Sequence, residues 1–250
     1  MPRVVNEEEN ALKRAEILDA AQSLIYVKGY EQMSIQDILD EVQISKGAFY
    51  HYYDSKPSLL EALIDRMLEQ VMRLVLPIVQ DPHEPALRKI QKFFTSVGTW
   101  KTARKDFLMG FVRSWYSDKN ALLRQKMTAR MLHVSGPWLA SIVRQGIDEG
   151  VFDTPYPDQI GAVTFAMVQS LGELIGDWAL APQPAPAKAQ RLVDTITAYN
   201  HALERLLGAP QGSIVMMQPD VIEAWFGISA KDPPGESNVA ESTGESQRGA

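Results

Sequence analysis

Residues Ser34 to Lys56 read SIQDILDEVQISKGAFYHYYDSK, and the spacing within this stretch predicts two short helices joined by a tight turn. Ser34 is placed to cap the first helix, with Asp37 three residues on in the reciprocal position of a capping box. Ile35, Ile38 and Leu39 supply an apolar face at helical spacing. Ser45 is placed to cap the second helix, in which Phe49 and Tyr53 point inward and Lys46, Ala48 and His51 face outward. This is the layout of a helix-turn-helix, whose second helix lies in the DNA major groove. On pattern alone the run also fits a generic helical hairpin. The turn falls on Gln43. A non-glycine residue at positive φ is strained by roughly 1–2 kcal/mol, so a turn slightly relaxed in shape is expected there.

Working outward, a first helix carries AEILDAAQSLI, the turn Lys28-Gly29-Tyr30 follows, and SKGAFYHYYDSKPSLLEAL continues past the quoted stretch. In this order and spacing, from about Ala11 to Leu63, the chain resembles the TetR/AcrR family of bacterial regulators. The resemblance implies an all-α fold: an N-terminal three-helix helix-turn-helix DNA-binding domain, then a C-terminal helical domain for ligand binding and dimerisation. It places Lys46, Gly47 and Ala48 near base edges and His51 beside the same groove, with Ser45 opening that helix. A missing side chain at Gly47 would let backbone come close to DNA. Ser34, Tyr50, Tyr52 and Lys56 match positions that hold phosphates, contacts that set register without reading sequence.

Charge runs against a simple electrostatic footprint. The chain has 25 basic and 31 acidic residues, net -6, and residues 1–66 hold 7 Lys/Arg against 12 Asp/Glu. Lys46 and Lys56 nevertheless flank the second helix, and Arg3, Lys13 and Arg14 are placed to reach the duplex from the N-terminal arm. The expectation is DNA binding through a few well-placed contacts, with weak non-specific affinity and a modest salt dependence.

Composition narrows the remaining classes. There are no cysteines, which excludes disulfides and thiolate chemistry and suits a reducing cytoplasm. The opening MPRVVNEEEN is acidic and polar, unlike a signal peptide. Apolar runs are broken by charge well before the ~18 residues a membrane span needs, so no membrane partner is expected. His51, His83, His133 and His201 are scattered, with no metal-ligand spacing, phosphate-cradling glycine loop or nucleophile elbow. No enzyme, metal or cofactor is expected.

The expected organisation is an arm and reader domain over 1–56, a helical regulatory domain over 57–226 and a disordered tail over 227–250. Helices are predicted from Pro57 to about Gln80, Pro85 to Thr102, Asp106 to Tyr116, Asn120 to Glu149, Asp158 to Leu180 and Ala187 to Leu207, with a short one after Pro219. Pro137 predicts a kink or break in its helix. Phe94, Phe107, Phe111, Trp115, Met131 and Trp138 form an aromatic and methionine cluster that fits either ordinary core or a pocket wall. The resemblance implies a ligand cavity among these helices, with Arg113 and His133 as polar groups that could face it. Leu192, Ile196, Tyr199 and Leu203 recur as a packing seam, and Gly161, Gly172 and Gly176 permit close helix approach. The resemblance implies homodimerisation by a four-helix bundle built from these two helices of each subunit. The partners expected are operator DNA, a second copy and a small-molecule effector. A repressor, an activator or nucleoid-associated protein on the same fold, and a helical interaction protein without DNA binding all remain open.

Overall fold

The computed structural model describes residues 7–180 and 186–228. Among these the chain forms α1 (Glu7–Gln32), α2 (Ile35–Val42), α3 (Lys46–Tyr52), α4 (Lys56–Gln80), α5 (Ala86–Thr102), α6 (Lys105–Trp115), a 3-10 turn (Asp118–Asn120), α7 (Ala121–Asp148), α8 (Pro157–Leu180), α9 (Pro186–Leu207) and α10 (Pro219–Phe226), with no strand. The helices predicted from the sequence are all present. α1 is interrupted at Gly29, whose φ of 78° and ψ of 159° break the helical path at the predicted turn. Of the kink or break predicted at Pro137, no break occurs: α7 runs through the proline, whose exposed ring sits on the solvent face. Arg3 and residues 229–250 of the predicted tail lie outside the described residues.

Two hydrophobic cores organise these helices. The first joins α1, α2, α3 and the N-terminal half of α4 through Ile17, Ile25, Ile38, Phe49, Leu59, Leu60 and Leu63, and it recruits Phe107 from α6 and Met127 from α7. The second gathers α5, α7, α8, α9 and the C-terminal segment around Ile90, Phe94, Ile142, Leu192, Ile196 and Leu203. Helix α4 serves both, because its early leucines enter the first core while Val79 packs on the second. The packing therefore does not divide at residue 56. Two neighbouring residues of α4 tie it to two different helices. Arg66 donates to Asp19 Oδ1 at 2.6 Å and to the Gln22 side chain on α1, and Asp65 pairs with Arg130 on α7.

Gly161 and Gly176 of α8 have a packing purpose within the protomer, whereas a Cβ on Gly172 would meet nothing within 4 Å. A Cβ on Gly161 would stand 2.1 Å from the Gly136 carbonyl oxygen and 2.9 Å from the Ala140 nitrogen, so α7 and α8 cross backbone against backbone. A Cβ on Gly176 would enter the Tyr116 ring at 2.3 Å, and the Tyr116 hydroxyl donates to the Gly172 carbonyl at 3.1 Å. Burial pushes the Tyr116 pKa up to about 12, with Glu173 and Asp177 adding to the shift.

The seam on α9 turns inward. Leu192, Ile196 and Leu203 are 1%, 2% and 0% exposed within a single chain, and Tyr199 is half-buried with its hydroxyl 2.7 Å from Ser170 Oγ of α8. Leu192, Ile196 and Leu203 are thus spent within the protomer and leave no surface for a second copy, whereas Tyr199 keeps part of its surface. The reason is that the segment after α9 folds back. Glu204 accepts from the Ile214 amide at 3.0 Å, Gln91 from the Val215 amide at 3.0 Å and Asn200 from the Met216 amide at 3.0 Å, and this return path closes the core over α9.

Candidate nucleic-acid interface

The capping chemistry around α2 is as predicted. Ser34 Oγ accepts from the Asp37 amide at 3.1 Å, and Asp37 Oδ2 accepts from the Ser34 amide at 2.7 Å and from its hydroxyl at 2.8 Å. Lys28 Nζ lies 2.8 Å from the same carboxylate. The Lys28 hydrogen bond, followed by those from Ser34, holds the Asp37 pKa down at about 2. A depressed folded-state value stabilises above the unfolded carboxyl range, near pH ~3.9, and is lost as pH falls through about 2. Asp37→Asn is thus expected to lower stability at neutral pH. Its deficit against the parent should narrow as denaturant titrations are carried from pH 4 toward pH 2, and a deficit independent of pH would refute the assignment. Ser34, expected at a phosphate, has its hydroxyl occupied in both directions by this box.

The turn between the helices is held by Gln43 at φ 54° and ψ 47°, the centre of the left-handed region. The expected relaxation is absent. The Gln43 side-chain Nε2 donates to the Asp40 carbonyl, so the side chain itself stabilises the turn in place of a glycine. Ser45 then caps α3, accepting from the Ala48 amide at 3.2 Å.

Helix α3 has only seven residues and is oriented by its buried side. Phe49 is 0% exposed and Tyr53 3% exposed, with ring centroids 6.1 Å apart. On the opposite side Lys46, Gly47, Tyr50 and His51 are exposed, while Ala48 is half-buried. Tyr50 stands edge-on to Phe49 at 5.5 Å. A Cβ on Gly47 would find only Ser45 Oγ, at 4.0 Å. Nothing inside the protein asks for a glycine there, although one in a helix costs about 1 kcal/mol against alanine.

Most basic groups of this domain are already engaged. Lys13 pairs with Glu16, Lys28 with Asp37 and Arg66 with Asp19. Arg14 donates to the Tyr52 carbonyl at 3.1 Å and lies 4.8 Å over the Tyr53 ring. Lys56 reaches the end of α1, with Nζ 4.3 Å over the Tyr30 ring and donating to the Glu31 carbonyl at 3.2 Å. Partial burial lowers its pKa. Tyr52 is half-buried against the first core and meets His51 edge-on at 5.1 Å. Among the described residues up to Arg66, Lys46 is the one cation without an intramolecular partner. The contacts of Arg14 and Lys56 span 38 and 25 residues, beyond what local spacing in the sequence can signal.

The aromatic cluster of the second domain is not brought together. Phe107 is buried in the first core and Trp115 packs against it, whereas Phe94 belongs to the second core. Met131 and Trp138 are half-buried on α7, and Arg113 and His133 are exposed rather than facing a common cavity. The Phe111 side chain lies outside what is described. The cluster divides because α6 turns its apolar face toward α1.

Residues 17–63 match the model of the tetR family of bacterial regulatory proteins. Over 52 residues the chain is 52% identical to an uncharacterized HTH-type transcriptional regulator of Lactococcus lactis subsp. lactis, covering 21% of this chain and 26% of that one. Over 198 residues it is 26% identical to the HTH-type transcriptional regulator TtgR of Pseudomonas putida, covering 76% of this chain and 91% of the relative. The crystal structure of a TetR-family transcriptional regulator from Pectobacterium atrosepticum superposes with a TM-score of 0.61 at 17% identity, covering 82% of this chain and 98% of that one. A capped helix-turn-helix that matches the tetR family of bacterial regulatory proteins over residues 17–63 is thus joined to a helical second domain, in a chain similar over most of its length to an HTH-type transcriptional regulator.

Proposed function

We propose that the protein is a ligand-responsive repressor that reads a near-palindromic operator as a homodimer through the outer face of α3. The observation that supports this most is the pairing of an unpartnered Lys46 with a Gly47 that faces open space. A cation and a cleared surface side by side on a rigidly held helix suit close approach to the groove and phosphates of DNA. Because Lys13, Lys28 and Arg66 are paired with carboxylates, phosphate contacts fall to Lys46 and to Arg14 and Lys56, whose charge is not neutralised, and the salt dependence is shallow.

Dimerisation would use what α8 and α9 leave exposed once their seam is buried. Ala162, Val163, Ala166, Ser170 and Leu174 on α8, with Ala198 and Ala202 on α9, are exposed and mostly small or apolar. Val163 and Leu174 are 44% and 39% exposed. Two copies joined there would present two α3 helices to successive major grooves, roughly 34–36 Å apart. Helix α4, rooted in both cores, is the element whose tilt an effector would bias, through higher affinity for one of two states.

Selection of bound duplexes from a random DNA pool at physiological salt tests this reading. An inverted repeat with half-site centres one helical turn apart is the expected result. Absence of any enriched duplex, both before and after stripping small molecules from the purified protein, would overturn it.

A further inference from the structure

The C-terminal end of α1 rides directly on α6. A Cβ on Gly110 would stand 2.6 Å from the Ile25 carbonyl oxygen and 3.3 Å from Ile25 Cγ2, so the two helices touch with no side chain between them. One turn further along α6, Ser114 is 2% exposed and its Oγ lies 2.8 Å from Glu31 Oε1. The polarity of this contact is set from behind. Asn120 Nδ2, itself buried, donates to the Ser114 carbonyl at 2.9 Å and to Ser114 Oγ at 3.1 Å, so the serine proton is directed to the carboxylate.

Glu31 faces the reader with its other end. Its backbone carbonyl accepts from Lys56 Nζ, which is held over the ring of the adjacent Tyr30. One residue is thus gripped by the regulatory domain through its side chain and by the start of α4 through its backbone. The Glu31 carboxylate already bears electrostatically on the Lys56 ammonium, and once released from Ser114 it is free to pair with it directly.

We infer that Ser114, Asn120 and Glu31 are positioning residues for the DNA interface: α6 holds the Glu31 carboxylate on Ser114, and displacement of α6 frees that carboxylate to pair with Lys56 and withdraw the ammonium from DNA phosphate. This rests on the DNA-reading function proposed above. It gives the regulatory domain a route to the reader that runs through α6 and α1, separate from any tilt of α4. The route is short, because three hydrogen bonds, buried at Asn120, partly buried at Ser114 and exposed at Lys56, connect the 3-10 turn before α7 to the first turn of α4.

The test uses the full-length protein and the duplex selected by the parent. Ser114→Ala is expected to weaken binding about tenfold, in the range of a lost hydrogen bond to a charged group, and to reduce the salt slope by about one per subunit. Ser114→Ala/Glu31→Gln, which removes the competing charge, is expected to bind within about twofold of the parent, a non-additivity that a merely structural serine would not produce. If Ser114→Ala fails to fold by circular dichroism, Asn120→Ala, which leaves the hydroxyl free to turn from Glu31, is compared with Asn120→Ala/Glu31→Gln in the same way. Parent-like binding by the single variants, or a double variant as weak as its single, overturns the inference while leaving DNA reading intact. A parent that selects no duplex overturns both.

Discussion

Phe49→Ala is expected to destabilise the reader by about 3–5 kcal/mol, the range for emptying a buried phenylalanine site. The side chain is 0% exposed and packs between Tyr50 and Tyr53 at the centre of the first core. Helix α3 magnifies the loss. Seven residues cannot sustain a helix in water, so its direction depends on this anchor and on the Ser45 cap. Denaturant unfolding should show an early transition in the variant, and binding to the selected duplex should disappear with it. Phe49→Leu, which keeps most of the volume, should retain both in large part. Lys46→Ala provides the contrast, losing DNA affinity with an unchanged unfolding curve. A Phe49→Ala protein within about 1 kcal/mol of its parent would mean that the core does not orient α3.

Gly161→Ala is expected to cost about 3 kcal/mol, at the upper end of overpacking penalties. The atoms that its Cβ would meet at 2.1 and 2.9 Å are the backbone of Gly136 and Ala140, and no rotamer change relieves them. Helices α7 and α8 would have to separate along the crossing that carries much of the second core. The sign is the informative part. Alanine stabilises an unobstructed helix by up to ~1 kcal/mol over glycine, and Gly172 on the same helix has nothing within 4 Å of its added Cβ. Gly172→Ala should therefore raise the thermal midpoint while Gly161→Ala lowers it. Two shifts of the same sign would refute the crossing.

What could be read from the sequence was what depends on neighbours. The Ser34–Asp37 box, the Ser45 cap and the inward turn of Phe49 and Tyr53 follow from spacings of three and four residues. The positive φ fell on Gln43 as read, but its undistorted shape depended on a side-chain amide reaching Asp40. Helix limits from α4 onward were legible because prolines, glycines and serines punctuate them. Long-range choices were not. The resemblance sets Lys56 at a phosphate, yet an aromatic ring and a carbonyl from the end of α1 also hold it. The α9 seam looks the same whether it meets its own chain or a copy, and only the return of residues 213–217 decides it. The aromatic cluster failed to converge for a similar reason. Gly110 lets α6 approach α1, and no spacing in the sequence reveals which helix a glycine will admit.

The two ties on α4 constrain the kind of motion that the helix can make. Asp65 and Arg66 are consecutive, so they project about 100° apart around the axis, one gripping α7 and the other α1. Spinning the helix would drag both out of reach at once, whereas rocking it about a point near residues 65 and 66 moves neither far. The mechanical picture is a balance beam with its fulcrum in the first half of α4, on which a small excursion at the Gln80 end is answered by a smaller, opposite one at Lys56.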